Sequence, residues 1–128
     1  MKLIYHGPPI TKKTGQQIVL HGKRPRLLPS KAYRQLLPSA VPELMAQRRG
    51  APWPLNREGG RRVDVQVRAT FYLAPKQRPD LSGLLEACGD ILQAAGVIFN
   101  DYSIISWDGS RRVRDGSEPR TEVEVWQA

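Results

Sequence analysis

Residues 78–104 read RPDLSGLLEACGDILQAAGVIFNDYSI. Leu81, Leu84, Leu85, Cys88, Ile91, Leu92 and Ala95 recur in it at intervals of three and four, the apolar stripe of an amphipathic helix. Asp80 suits the N-cap, because its carboxylate can accept from the N–H groups that a first turn leaves open. Gly96 suits the stop, since glycine enters the left-handed region without a Cβ penalty. Ser82, Glu86 and Asp90 are four residues apart and share the opposite face.

Outward from this helix the pattern changes period. Val63, Val65, Val67, Ala69 and Phe71 alternate with Asp64, Gln66, Arg68 and Thr70, which predicts a half-buried strand. Residues 103–107 and 121–126 are two further strands, joined by the basic turn DGSRRVRDGSEP. Toward the N-terminus, KLIYHG reads as a strand and GPPITKKTGQQ as a turn region. Residues 17–21 and 25–28 form a hairpin about Gly22-Lys23, with Lys23, Arg24 and Arg26 at its tip.

Ser30 then caps a second helix carrying Tyr33, Leu36, Leu37, Val41, Leu44 and Met45 on one side. Pro38 and Pro42 lack a backbone donor and predict a kink or a split within it. Residues 49–62 are a flexible basic loop with Trp53 between two prolines. The expectation is one α+β domain over 1–128, a mixed β-sheet packed against two main helices.

Size and charge bound the function. At 128 residues the chain holds one core. A lone cysteine, Cys88, excludes an internal disulfide and a multi-cysteine metal site, and its place on the apolar stripe marks it as core. No apolar run reaches the ~18 residues of a membrane span and no secretory h-region opens the chain, so a cytoplasmic location is expected. The net charge of +8 and a pI near 10.2 favour a polyanionic partner. His6 and His21 have no third ligand or serine motif tied to them and read as structural or surface residues.

Within this basic chain the acidic side chains Asp80, Glu86, Asp90 and Asp101 are concentrated in one segment. A helix from Leu81 to Ala95 is about 22 Å long, and an extended connection at about 3.3 Å per residue can bring Asp101 back beside its acidic face. Gathered carboxylates suit Mg²⁺, which takes few of them and keeps waters for substrate phosphates. Spacing alone leaves the plainer reading open, in which Asp80 is a cap, Glu86 and Asp90 are solvated, and Asn100-Asp101 makes a turn.

The run PDLSGLLEACGDILQAAGVIFNDYSI resembles the signature of the RusA family of crossover-junction (Holliday-junction) endodeoxyribonucleases. There an Asp-Leu-Asp-Asn-Leu start opens a helix, an Asp-x-Leu lies within it, and an (Asp/Asn)-Asp-x-x-Ile/Val follows a glycine. GPPITKKTGQQIV and LLPSKAYRQ are also similar to phage members, so the resemblance runs from about Gly7 to about Ile105. It implies a homodimer that binds four-way DNA junctions and makes paired nicks in recombination and repair, with Mg²⁺, or Mn²⁺ in its place, and no small-molecule cofactor.

By the same resemblance Asp80, Asp90 and Asp101 are the metal ligands, and Asp80, Glu86 and Asp101 occupy catalytic positions. Ser82 stands where the pattern has a second Asp, Gly83 where it has Asn, and Glu86 where it has a catalytic Lys. Ser contributes no charge to a divalent ion, and Glu for Lys shifts the local charge by two units. Lys12, Lys13, Arg24, Lys31, Arg78, Arg111 and Arg112 are the residues expected to contact DNA, with further basic pairs at Arg48-Arg49 and Arg61-Arg62. Trp53 is read as a locally packed loop residue, and Trp107 and Trp126 as core or dimer packing. Three functions are compatible with these residues: a junction endonuclease, a RusA-like junction binder that does not cleave, and a basic RNA-binding domain.

Overall fold

A computed structural model describes residues 1–13, 17–22, 24–49, 57–58 and 61–128, with the backbone alone described at 17–21, 26, 57–58 and 61–62. In chain order the elements are β1 (Lys2–His6), β2 (Gln17–His21), β3 (Arg24–Leu28), α1 (Lys31–Gln47), β4 (Arg57–Glu58), β5 (Arg61–Arg62), β6 (Val65–Tyr72), α2 (Leu81–Ala94), a 3-10 turn (Asp101–Ser103), β7 (Ile104–Ser106), β8 (Arg111–Val113) and β9 (Arg120–Gln127). The α+β class holds: a mixed sheet carries two helices.

The sheet is built in the order β1-β9-β6, antiparallel throughout, with β7 and β8 both added in parallel along the far edge of β6. Residues 107–110 loop out between these two short strands. Ser110 Oγ accepts from Ala69 N–H at 2.9 Å, supplying the partner that the interrupted ladder does not. The turn expected over 108–119 thus contains a strand, β8. Its Arg-Arg-Val sequence has no apolar alternation to announce it.

Alternation along β6 sends Val65, Val67, Ala69 and Phe71 to one face, where they meet Leu3, Tyr5, Val123 and Val125 from the neighbouring strands. Leu84, Cys88, Ile91 and Leu92 of α2 close this core with Tyr33, Leu36, Ala40 and Leu44 of α1. Cys88 is fully buried, and burial pushes its thiol up to about 12. On the outer face the guanidinium of Arg120 covers the Tyr72 ring at 3.8 Å, and Arg68 lies 5.9 Å from that of Trp126. Trp126, expected as core or dimer packing, is not in the core and is 38% exposed there.

Of the kink or split expected at Pro38 and Pro42, the split does not occur: α1 runs unbroken from Lys31 to Gln47. Both prolines are exposed, so the carbonyls that lose a donor face water while the buried side of the helix stays intact. Met45, expected on the apolar side, is 46% exposed. The hairpin of β2 and β3 is present, although Lys23 lies outside the described residues. Within the expected flexible loop over 49–62, Arg57–Glu58 pairs with Arg61–Arg62; residues 50–56, with Trp53, and 59–60 lie outside the described residues.

The C-terminal part of α1 shields β1, the other edge of the sheet. Gln47 accepts from Ile4 N–H at 2.7 Å and donates to Ile4 O at 2.5 Å, imitating a further strand. Glu43 accepts from His6 N–H and sits 2.5 Å from His6 Nδ1. This hydrogen bond raises the imidazole above its ordinary 6.5. The charged pair therefore stabilises fully below about pH 6.5 and is lost as pH rises through the raised value. The urea midpoint is expected to fall between about pH 6 and about pH 8, and the fall should be absent in Glu43→Gln.

Candidate functional site

The acidic face of α2 is oriented by its opposite. With Leu84, Cys88 and Ile91 held in the core, Ser82, Glu86 and Asp90 turn outward. The loop after β1 lies along this face because it is fastened on both sides. Ser30 Oγ donates to Thr11 O at 3.0 Å and accepts from Tyr33 N–H at 3.2 Å as the cap of α1, while Ser30 N–H donates to Lys12 O. From the other side the Gln77 side-chain amide donates to Pro9 O.

This fastening carries Lys12 into the acidic face. Its ammonium donates to Asp90 Oδ2 at 2.5 Å and lies 3.8 Å from Glu86 Oε1. The bond to Asp90 raises the lysine above its ordinary value against a smaller desolvation effect, and the charges of Asp90, Glu86 and Asp101 add to it. Three carboxylates thus act on one partly buried cation. Lys13, more exposed, is 3.6 Å from Glu86 Oε2. Beneath them Tyr33 is buried, and burial, reinforced by Asp90, lifts its hydroxyl to about 12.

Asp80 has a different task. Its Oδ2 accepts from Gly83 N–H and from Ser82 Oγ, both at 2.8 Å, and these bonds hold the carboxyl below its ordinary value. A Cβ at Gly83 would lie 2.9 Å from Asp80 Oδ1 and 3.0 Å from Thr11 Cγ2. Ser82 and Gly83, two of the three departures from the RusA-like pattern, are therefore what fold Asp80 over the first turn of α2.

Asp101 returns to the helix by way of Gly89. A Cβ there would be 3.6 Å from Asp101 Cβ and 3.7 Å from the Trp107 ring, ordinary contact distances that show how closely the 3-10 turn lies against α2. Asn100 caps that turn through Tyr102 N–H, and Asp101 N–H donates to Gln93 Oε1. An open groove of about 270 Å³ results, lined by Ser82, Leu85, Glu86, Gly89, Asp101, Ile104 and Trp107. Trp107 is partly buried against the core and forms one wall.

Glu86 and Asp101 share this groove, whereas Asp90 faces Lys12 and Asp80 caps the helix about 15 Å from Asp90 along the axis. Among the described residues no three His, Cys, Asp or Glu side chains are grouped to hold a metal. Mg²⁺ needs less than such a cage, being commonly held by one or two carboxylates together with water and phosphate oxygens. The two hard carboxylates across the groove fit that donor set.

Of the basic residues, Arg24 and Lys31 are exposed at the starts of β3 and α1. Arg78 and Arg112 line a common pocket with Arg114. Strand alternation puts Arg111 on the opposite face of the sheet from Arg112. Composition and spacing did not single out Phe99 and Tyr102, which flank Asp101 and are 48% and 79% exposed. The signal was the FNDY run itself, two aromatics around an acid in a polar turn. No known protein-family model matches the chain, and a search of curated proteins returns no match.

Two stability measurements check these assignments. Asp80→Asn is expected to keep the cap hydrogen bond and unfold at a urea midpoint slightly below wild type, whereas Asp80→Ala should lower that midpoint further. Lys12→Met and Asp90→Asn should each cost about 1–2 kcal/mol in urea unfolding, with the double variant well short of the sum. Additive costs would mean that the two side chains are not coupled.

Proposed function

We propose that this chain binds branched DNA and nicks it as a Mg²⁺-dependent, structure-selective endonuclease of the RusA type, working as a homodimer in recombination and repair in the cytoplasm. The observation that carries the reading is the groove shared by Glu86 and Asp101 on a chain of net charge +8. An acidic centre within a positive field is what phosphodiester chemistry requires, since the field attracts the backbone and the carboxylates locate the cation. The ordered similarity from Gly7 to Ile105 supports the same reading. Among the described residues no helix is long and apolar enough to cross a membrane, which is compatible with it.

Glu86 and Asp101 are the residues that would hold Mg²⁺, and Mn²⁺ would suit the same oxygens. When bound, the ion supplies an activated water and offsets charge on the phosphodiester. The chain's own residues do the rest. Lys12 keeps Asp90 paired and sets a positive charge at the shoulder of the groove. Trp107 and Ile104 close one side against water. Tyr102 and Phe99 offer exposed rings for an unpaired base at a branch point.

A second reading, junction binding without cleavage, is favoured by Asp80 and Ser82, which bond to each other at the head of the helix. Incubation with a labelled four-way junction and a matched duplex, in Mg²⁺, Mn²⁺ or EDTA, separates the two. Metal-dependent nicking of the junction is expected, reduced at least a hundredfold in Asp101→Asn and in Glu86→Gln. Tight junction binding with no nicking in either metal selects the second reading. Equal affinity for junction and duplex, or preference for RNA, overturns both.

A further inference from the structure

Arg78, Arg112 and Arg114 meet with Leu73 around a pocket of about 260 Å³. They come from two segments brought together by the sheet. Arg112 and Arg114 are two residues apart at the end of β8 and so project to one face, beside Phe71 and Leu73 at the end of β6. Arg78 lies in the connection leading from β6 to α2. The described lining is three cations and one apolar residue, with no carboxylate among them.

The arrangement is held rather than loose. Arg112 Nη1 donates to Pro79 O at 2.9 Å, and Arg114 Nη2 donates to Gln77 O. Each guanidinium has five N–H donors, so one bond to a carbonyl anchors Arg112 and Arg114 and leaves their other donors for a ligand. None of the three arginines forms an ion pair among the described residues, in contrast to Arg68 and Arg120. Three like charges around one pocket repel each other, and an anion with several acceptor oxygens removes that repulsion. Planar guanidinium forks match the paired oxygens of carboxylates and phosphates alike, and phosphate is the one of the two that a nucleic-acid backbone supplies.

We infer that Arg78, Arg112 and Arg114 form a preorganised binding site for one backbone phosphate of DNA, set apart from the acidic groove. The carbonyl that holds Arg112 belongs to Pro79, the residue before Asp80, so the pocket adjoins the head of α2 whose side carries Glu86. A phosphate seated here places the strand at a fixed offset from the groove. That identity of the ligand rests on the DNA reading above; the anion site itself does not.

Two arms test it. In the first, wild-type protein is titrated with inorganic phosphate against chloride at constant ionic strength, and arginine side-chain Nε–H resonances are followed by NMR. Saturable shifts are expected for Arg78, Arg112 and Arg114 and not for Arg68, and their absence overturns the site. In the second, binding of a labelled four-way junction is measured in EDTA across a range of NaCl. Arg112→Gln is expected to lower affinity about tenfold and reduce the slope of log K against log salt by about one.

Arg68→Gln removes the same charge from the outer face of the sheet and should do neither. Equal effects of the two variants, or no change of slope in Arg112→Gln, overturn the assignment to a DNA phosphate. If the phosphate shifts appear but no DNA is bound, the anion site stands and the endonuclease reading falls.

Discussion

The apolar stripe of α2 packs against the inward row of β6, and nearly every functional position follows from that contact. Burying Leu84, Cys88, Ile91 and Leu92 against Val65, Val67 and Phe71 fixes the rotation of the helix about its own axis. Glu86 and Asp90 then have nowhere to point but outward, and bare Gly89 lies along the line where the chain returns. Burial of the three aliphatic side chains stabilises by roughly 1.5–3 kcal/mol each, against at most about 1 kcal/mol for an exposed ion pair. Hydrophobic packing therefore decides where the charges sit, and the charges adjust to it.

The resulting electrostatics divide the molecule unevenly. The excess of positive charge lies in many separate side chains, whereas the acids of 80–101 are gathered on one helix and one turn. Lys12 enters that acidic region and is partly buried with Asp90, both side chains 28% exposed. Arg112 and Arg114 do the opposite, using backbone carbonyls as partners, and with Arg78 they form no ion pair among the described residues. Two ways of holding a cation are thus present along α2, one balanced by carboxylates on its outer face and one beside its head, open to an external anion.

Much of this was legible in the residues. Period-two alternation along 63–71 and the three-and-four spacing of 81–95 gave β6 and α2, since both elements are buried on one face and their patterns are undiluted. Ser30 and Asp80 were readable as caps from local hydrogen-bonding capacity alone. β8 was not, because its pairing is tertiary and its side chains are two arginines and a valine. Lys12 and Lys13 looked like outward contacts for a polyanion. Their pairing with Asp90 and Glu86 depends on Ser30 and Gln77 fastening the loop, a contact between segments far apart in sequence that no local spacing encodes.

Ser30 has one hydroxyl and uses it twice, as acceptor for the first turn of α1 and as donor to the loop that carries Lys12. The helix start and the acidic region are consequently parts of one cooperative unit. Fraying of that first turn frees Thr11 O and Lys12 O together, and the lysine leaves Asp90 as it goes. Amide protection at Tyr33 and the contact of Lys12 with Asp90 then report a single opening event, although Tyr33 and Asp90 are 57 positions apart in the chain.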